Sequence, residues 1–310
     1  MKVSILLIIF NRLETTQKVF NSIREYQPER LYIAADGPRN ELIGEKEACN
    51  EVREWVLAHV DWSCEVKTLF RCENLGCGKA PSGAISWFFE NENEGIILED
   101  DCIAHPDFFT YCEQMLDYYR NNLSISIISG CNFDLKKQYC TENSYFYSVF
   151  PYTWGWATWK RNWEEYDYSI SEWNNFNQMK FLKWVFREKK YRLAWKKILD
   201  NLAMNDQKGI WDYQFFFQCF KRRQFSIVPS VNLITNVGTG ELATHTTTEN
   251  PLMNIELESL DFPLLHPVQL ERNFRYDVFL QEINYGVVEQ ISLIKKIKRF
   301  IKRQILLLQQ

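Results

Sequence analysis

The chain lacks most of the features that would assign it to a class on sight. It has no GxGxxG stretch after a strand and no Walker-type phosphate loop, which weakens dinucleotide-binding and kinase readings. Its nine cysteines include no two close CxxC pairs, and Cys72 and Cys77 are five apart. An odd, scattered set favours a reducing compartment over a disulfide-stapled secreted domain. No early apolar run is long enough to span a bilayer. Residues 1–10 carry one positive charge, a short apolar segment and no small-residue cleavage pattern, so they read as a first strand. A surplus of positive charge is also missing. The net charge of -4 argues against wholesale nucleic-acid binding and leaves room only for a local basic surface.

What is present is a chain of 310 residues, 46% hydrophobic, able to bury one large α/β unit or one unit with a small appendage. After the first strand, Asn11-Arg12 interrupts the apolar run, and Thr15 or Thr16 is the expected start of a helix carrying Val19, Phe20 and Ile23. A strand over 30–35 then ends at Asp36-Gly37-Pro38. Strand, helix, strand is the opening of a parallel sheet. The pattern continues with a helix over 45–58 and a strand over 64–70. A loop, Asn74-Leu75-Gly76-Cys77-Gly78-Lys79, leads into a helix with Ile85, Trp87, Phe88 and Phe89.

The rest of the chain is organised around Gly95-Ile96-Ile97-Leu98-Glu99-Asp100-Asp101-Cys102. The apolar part suits a buried parallel strand, and its three acids then lie at the strand's carboxyl end, where open α/β sheets bind ligands. Adjacent carboxylates repel one another, so a hard cation such as Mg²⁺ or Mn²⁺ rationalises the cluster; a solvated acidic turn is the alternative. Further on, the pattern predicts a helix over 108–119, strands over 125–129 and 145–150, and a loop holding Trp154-Gly155-Trp156. An aromatic, basic and largely helical stretch without a clear repeat follows over 163–208. Beyond it come a helix starting at Asp212, a strand over 225–229 and a glycine-containing loop.

Glu99-Asp100-Asp101 followed by Pro106-Asp107-Phe108-Phe109 resembles the acidic metal-binding motif and following helix of nucleotide-sugar glycosyltransferases of the fold called GT-A. The likeness is greatest to the N-acetylglucosaminyltransferase I branch. It covers approximately residues 1–247, is strongest over 95–109, and thins within 163–208. It implies a single nucleotide-sugar-binding α/β domain over 1–250, with a mainly parallel central sheet, helices on both faces, and 163–208 as a helical insertion. Residues 251–290 are then an accessory segment.

The resemblance also distributes roles. It places the metal, Mn²⁺ or Mg²⁺, on Asp101, with Glu99 and Asp100 beside the donor. It brings Asp36 to the uridine of a UDP-sugar, although a carboxylate fixing the Gly37-Pro38 turn is the purely structural reading. Asn11 and Arg12 become nucleotide-pocket residues, against Arg12 as a solvated helix-edge charge. Asn74 and Lys79 face the sugar nucleotide, against a simple loop and helix start. Trp154, Gly155 and Trp156 mark the meeting of donor and acceptor, with Trp211 a further substrate contact; closure of the core is the rival role of these tryptophans. Asp212 becomes the base that takes the acceptor proton, against a helix N-cap. His245 is a secondary candidate for diphosphate or metal contact, against a structural histidine.

The expected activity is metal-dependent, inverting transfer of a sugar to a glycan or glycolipid hydroxyl in surface polysaccharide synthesis. The alternatives are a nucleotidyltransferase, which consumes a nucleoside triphosphate, and a non-catalytic glycan-binding or assembly protein. Residues 291–310 form a basic amphipathic tail with Lys295, Lys296, Lys298, Arg299, Lys302 and Arg303. Such a helix suits an anionic membrane surface, with homodimerisation as the rival reading, and places a cytoplasmic enzyme at the inner face of the cell membrane.

Overall fold

A computed structural model of the chain describes residues 2–139, 142–204, 209–238 and 252–284. His245 and the basic tail 291–310 lie outside the described residues. The first four strands are β1 (Ile5–Ile9), β2 (Arg30–Ala35), β3 (Glu65–Phe70) and β4 (Glu94–Glu99); β1 pairs in parallel with both β2 and β4, and β3 adds in parallel to β2. After the short β5 (Cys102–Ala104), the sheet continues through β6 (Ile125–Ser129), β7 (Tyr145–Ser148), β8 (Trp156–Trp159) and β9 (Phe225–Pro229). Its order is β3-β2-β1-β4-β8-β6-β9-β7. Only the β4/β8, β8/β6 and β9/β7 contacts are antiparallel. The protein therefore has the mixed α/β architecture expected, with a mainly parallel sheet.

Strand alternation sorts the core into two layers. Ile5, Leu7 and Ile9 of β1 face one side with Ile96 and Leu98 of β4. There they meet the apolar stripes of α1 (Leu13–Tyr26), α2 (Glu45–Ala58) and α4 (Pro106–Tyr118). Leu6, Tyr32 and Ile97 face the other side, under Ile85 and Phe88 of α3 (Gly76–Asn91) and under Phe215. Short α5 (Lys160–Trp163), α6 (Gln178–Val185) and α7 (Lys189–Met204) make the aromatic stretch helical, and α8 (Asp212–Lys221) follows it.

Several boundaries differ from the sequence reading. Helix α1 starts at Leu13, with Arg12 at its N-cap position. The hydroxyls of Thr15 and Thr16 bond back to the Arg12 carbonyl at 3.3 and 2.7 Å, as helical threonines do, instead of capping. Helix α3 begins at Gly76, so Lys79 is helical and not in a loop. Trp156 opens β8 in the middle of the sheet and is likewise not a loop residue. The strand over 225–229 is not the last: β10 (Ile234–Asn236) pairs antiparallel with β5.

The described C-terminal segment joins the same core through Leu252, Ile255, Leu260 and Leu264, then through Tyr276 and Leu280 of α9 (Phe274–Asn284). A buried ion pair fastens it: Arg272 lies 2.7 Å from Asp277 and donates to the Val185 carbonyl, while Asp277 accepts from Ser148 Oγ at 2.6 Å. No described helix is long and apolar enough to cross a membrane. Removing one partner of a buried pair strands the other charge, so Asp277→Ala is expected to cost about 3–5 kcal/mol. Denaturant unfolding checks this; a loss below 1 kcal/mol, roughly that of an exposed pair, contradicts it.

Candidate active site

The chain leaves β1 for β2 on one side and later returns to β4 on the other, which opens a crevice at the carboxyl ends of these strands. A cavity of about 280 Å³ occupies it, lined from β1 through Arg12, from β2 by Asp36, from β4 by Glu99 and Asp100, and from α3 by Cys77 and Pro81.

Alternation along β4 separates the acids. Glu99 follows Ile97 toward the α3 side, whereas Asp100 follows Leu98 toward the β1 tip. Asp100 is almost wholly buried, accepts from the Phe10 amide at 3.3 Å and is ion-paired to Arg12. Burial raises its pKa to about 6, against the pull of Arg12. Arg12 also holds Asp101 at 2.9 Å. Burial works against the Arg12 charge, but the two carboxylates outweigh it and keep the guanidinium above its ordinary value. Glu99 is pushed well up by burial first, then by the charges of Asp101, Asp100 and Asp212.

Asp101 is fixed from a distant part of the chain. The Val237 amide donates to its carbonyl at 2.9 Å, Asn236 Nδ2 reaches its Oδ1 at 3.3 Å, and a Cβ at Gly238 would overlap its Oδ2. Asn236 and Gly238 are thus site residues that sequence reasoning missed as such. No local signal marks Asn236, because its role arises from β10 pairing with β5.

At the other end of the cavity, Asp36 is heavily engaged by backbone. Its carboxylate accepts from the amides of Gly37 and Leu75 at 3.0 Å and of Gly76 at 2.9 Å, tying the β2 tip to the start of α3. Asn74 reinforces this by donating to the Gly37 carbonyl at 2.7 Å. Asn11 donates to Glu45 at 2.9 Å, and Arg39 pairs with the same carboxylate. These bonds, the Arg39 side chain's first, hold Glu45 below the usual carboxylate range despite burial. Lys79 is exposed, its Nζ 5.9 Å from the Tyr168 ring. Arg71, also missed, lines the cavity and makes no ion pair among the described residues. Burial lowers its pKa while the Asp36 charge opposes this. Its position immediately after β3 was the available signal.

The Gly-Trp segment is mostly core. Trp156 is 0% exposed among Trp163, Trp211 and Phe215, and Trp211 is buried beside it, so neither ring presents a face to a ligand. Gly155 has a φ of 59° and packs so tightly that a Cβ would strike Ile234. These three expected substrate contacts are corrected to packing roles; their apolar area is worth more in the sheet centre than at a surface. Trp154 stays partly exposed against Phe133. Asp212 is the first residue of α8, with Trp211 at the N-cap position, so it does not cap the helix as the structural reading supposed. There it meets the positive end of the helix dipole, and its charge reaches both Glu99 and Tyr166.

The residues fit a hard cation in one way. Among the described residues no three His, Cys, Asp or Glu side chains converge on a metal position. Asp101 Oδ1 carries only long contacts, to Asn236 and to Cys102 at 3.4 Å, and thus keeps capacity for a cation that takes its other ligands from water and phosphate.

Because Arg12 neutralises Asp100, Arg12→Met is expected to destabilise the fold by about 3–5 kcal/mol, and adding Asp100→Asn to recover much of that loss. A denaturant double-mutant cycle measures both. Additive losses would mean that the pair is not what holds the tip.

No protein-family profile matches the chain, and no curated protein matches it by sequence. Among solved structures it is similar to the inositol-1-phosphate CTP transferase from T. maritima, at 11% identity over 76% of this chain and 90% of that one, with a TM-score of 0.41. It is similar to HddC from Yersinia pseudotuberculosis at 12% identity over 53% and 80%, with a TM-score of 0.33. Mouse xyloside xylosyltransferase 1 aligns at 12% identity over 70% and 81%, with a TM-score of 0.29. Likenesses of this order assign no activity to the chain.

Proposed function

We propose that the protein is a nucleotide-sugar glycosyltransferase of the GT-A kind, moving a sugar with inversion from a UDP-sugar to a hydroxyl of a glycan or glycolipid. One observation carries this reading. Glu99 and Asp100 at the acidic tip of β4 line the crevice with Arg12, and Glu99 there lies within reach of the charges of both Asp101 and Asp212, at the start of α8.

Neighbouring strands lie about 4.8 Å apart, which puts the β3 tip roughly 14 Å from that of β4. An extended nucleotide fits between them, with its diphosphate toward Asp101 and Arg12 and its base toward Arg71 and the Asp36 turn. Mn²⁺ or Mg²⁺ held on Asp101 supplies positive charge against the departing diphosphate when bound. Arg12 adds fixed positive charge at the same place, where negative charge grows as the glycosidic bond breaks. Asp212 accepts the proton of the attacking hydroxyl. In this reading Trp154 borders the sugar, and the basic residues of 291–310 draw a cytoplasmic enzyme to an anionic membrane.

Two variants test the division of labour. Asp101→Ala is expected to abolish the dependence of UDP affinity on Mn²⁺ in calorimetry while the domain remains folded; unchanged metal-coupled affinity rejects the ligand role. Asp212→Asn is expected to keep stability within about 1 kcal/mol, since the amide keeps the size of the side chain and an oxygen that accepts hydrogen bonds while a first-turn charge is lost. Sugar transfer should nevertheless fall by about 10²- to 10⁴-fold, with donor affinity retained. Near-normal transfer by that variant removes Asp212 as the base, and release of pyrophosphate from a nucleoside triphosphate would favour a nucleotidyltransferase instead.

A further inference from the structure

The loop of residues 164–172 lines a second cavity of about 390 Å³ that runs beside α8. Alternate side chains of the loop take different partners. Tyr166 donates to the Trp211 carbonyl at 2.9 Å and stacks on Trp163, and Tyr168 lies near Lys79 of α3. Glu165 and Asp167 instead line the second cavity with Glu172 and, from one stripe of α8, Gln214, Gln218 and Lys221. Gln214 stands two residues from Asp212 and Lys221 nine, so this lining extends roughly 3 to 14 Å along the helix from Asp212.

Gln214 is only 1% exposed, and its Oε1 has no hydrogen-bond partner among the described residues, while its Nε2 is bound to the Ile210 carbonyl at 3.1 Å. A buried acceptor left in this state calls for a donor. Glu165 makes no hydrogen bond or ion pair among the described residues either. Asp167 is held rigidly by the amides of Ser169 and Ser171 at 2.9 and 2.6 Å. Lys221 contacts Glu172 at 3.2 Å and keeps further N–H groups. A metal ion is a poor occupant, because no three ligating side chains converge among the described residues. An ammonium ligand would face Lys221 with like charge. A hydroxyl group both donates and accepts, and so suits Gln214, Glu165 and Lys221 together.

We propose that this cavity binds a saccharide through its hydroxyl groups, as a distal subsite for the acceptor glycan whose reacting end lies at Asp212. The acceptor role rests on the transferase reading; saccharide binding by itself does not.

The test titrates the full chain with a panel of neutral oligosaccharides, followed by saturation-transfer NMR and calorimetry, with UDP measured in parallel. At least one oligosaccharide is expected to bind. Gln214→Leu and Glu165→Gln should each weaken it about tenfold, the loss of one hydrogen bond to a charged or buried group, while UDP affinity stays unchanged. Glu165 is exposed, so its variant keeps the test valid if Gln214→Leu fails to fold. Absence of binding to every oligosaccharide, or binding that Glu165→Gln leaves untouched, overturns the proposal. Variant-sensitive oligosaccharide binding without any UDP or UDP-sugar binding upholds the saccharide site and defeats the transferase reading.

Discussion

Three consecutive carboxylates at the end of a buried strand can coexist only if the fold separates and compensates them. Glu99 ends β4, and Arg12, at the tip of the adjacent parallel strand, pairs with both Asp100 and Asp101 in the turn that follows. Burial pushes Glu99 and Asp100 toward their neutral forms, and at Asp100 the Arg12 charge opposes it. The Arg12 contact therefore links the two central strands at the point where the crevice opens.

Around it the structure uses backbone groups more than side chains. Asp36 spends its carboxylate on the amides that start α3, and Asp101 is buttressed by the amide of Val237 and the close approach of Gly238. Such groups are positioned by the sheet and the helix start themselves, and they fix both carboxylates in place. The aromatic layer formed by Trp156, Trp163, Trp211 and Phe215 then locks the start of α8 against the sheet, and with it Asp212.

Much of the fold was legible because its signals are local. The apolar runs at 30–35, 125–129 and 225–229 match β2, β6 and β9, the helix over 45–58 matches α2, and the acid-tipped run became a strand parallel to β1 as expected. The misreadings have a common cause. Thr15 and Trp156 are read from their immediate neighbours, whereas their places depend on whether a hydroxyl bonds backward along a helix and whether a tryptophan run enters the sheet centre.

By itself the sequence determined the alternation of strands and helices and the acidic tip after β4, since hydrophobic periodicity and a run of charges are properties of adjacent residues. Only the tertiary structure decided that Arg12 neutralises the tip, that Asn236 and Gly238 close on Asp101 from more than a hundred residues away, and that Arg71 enters the crevice without a carboxylate partner among the described residues. It also decided that the loop of residues 164–172 and one stripe of α8 line a common cavity. Those relations depend on strand order and on which face each side chain takes. No local pattern encodes them, because residues distant in sequence become neighbours only when the sheet assembles.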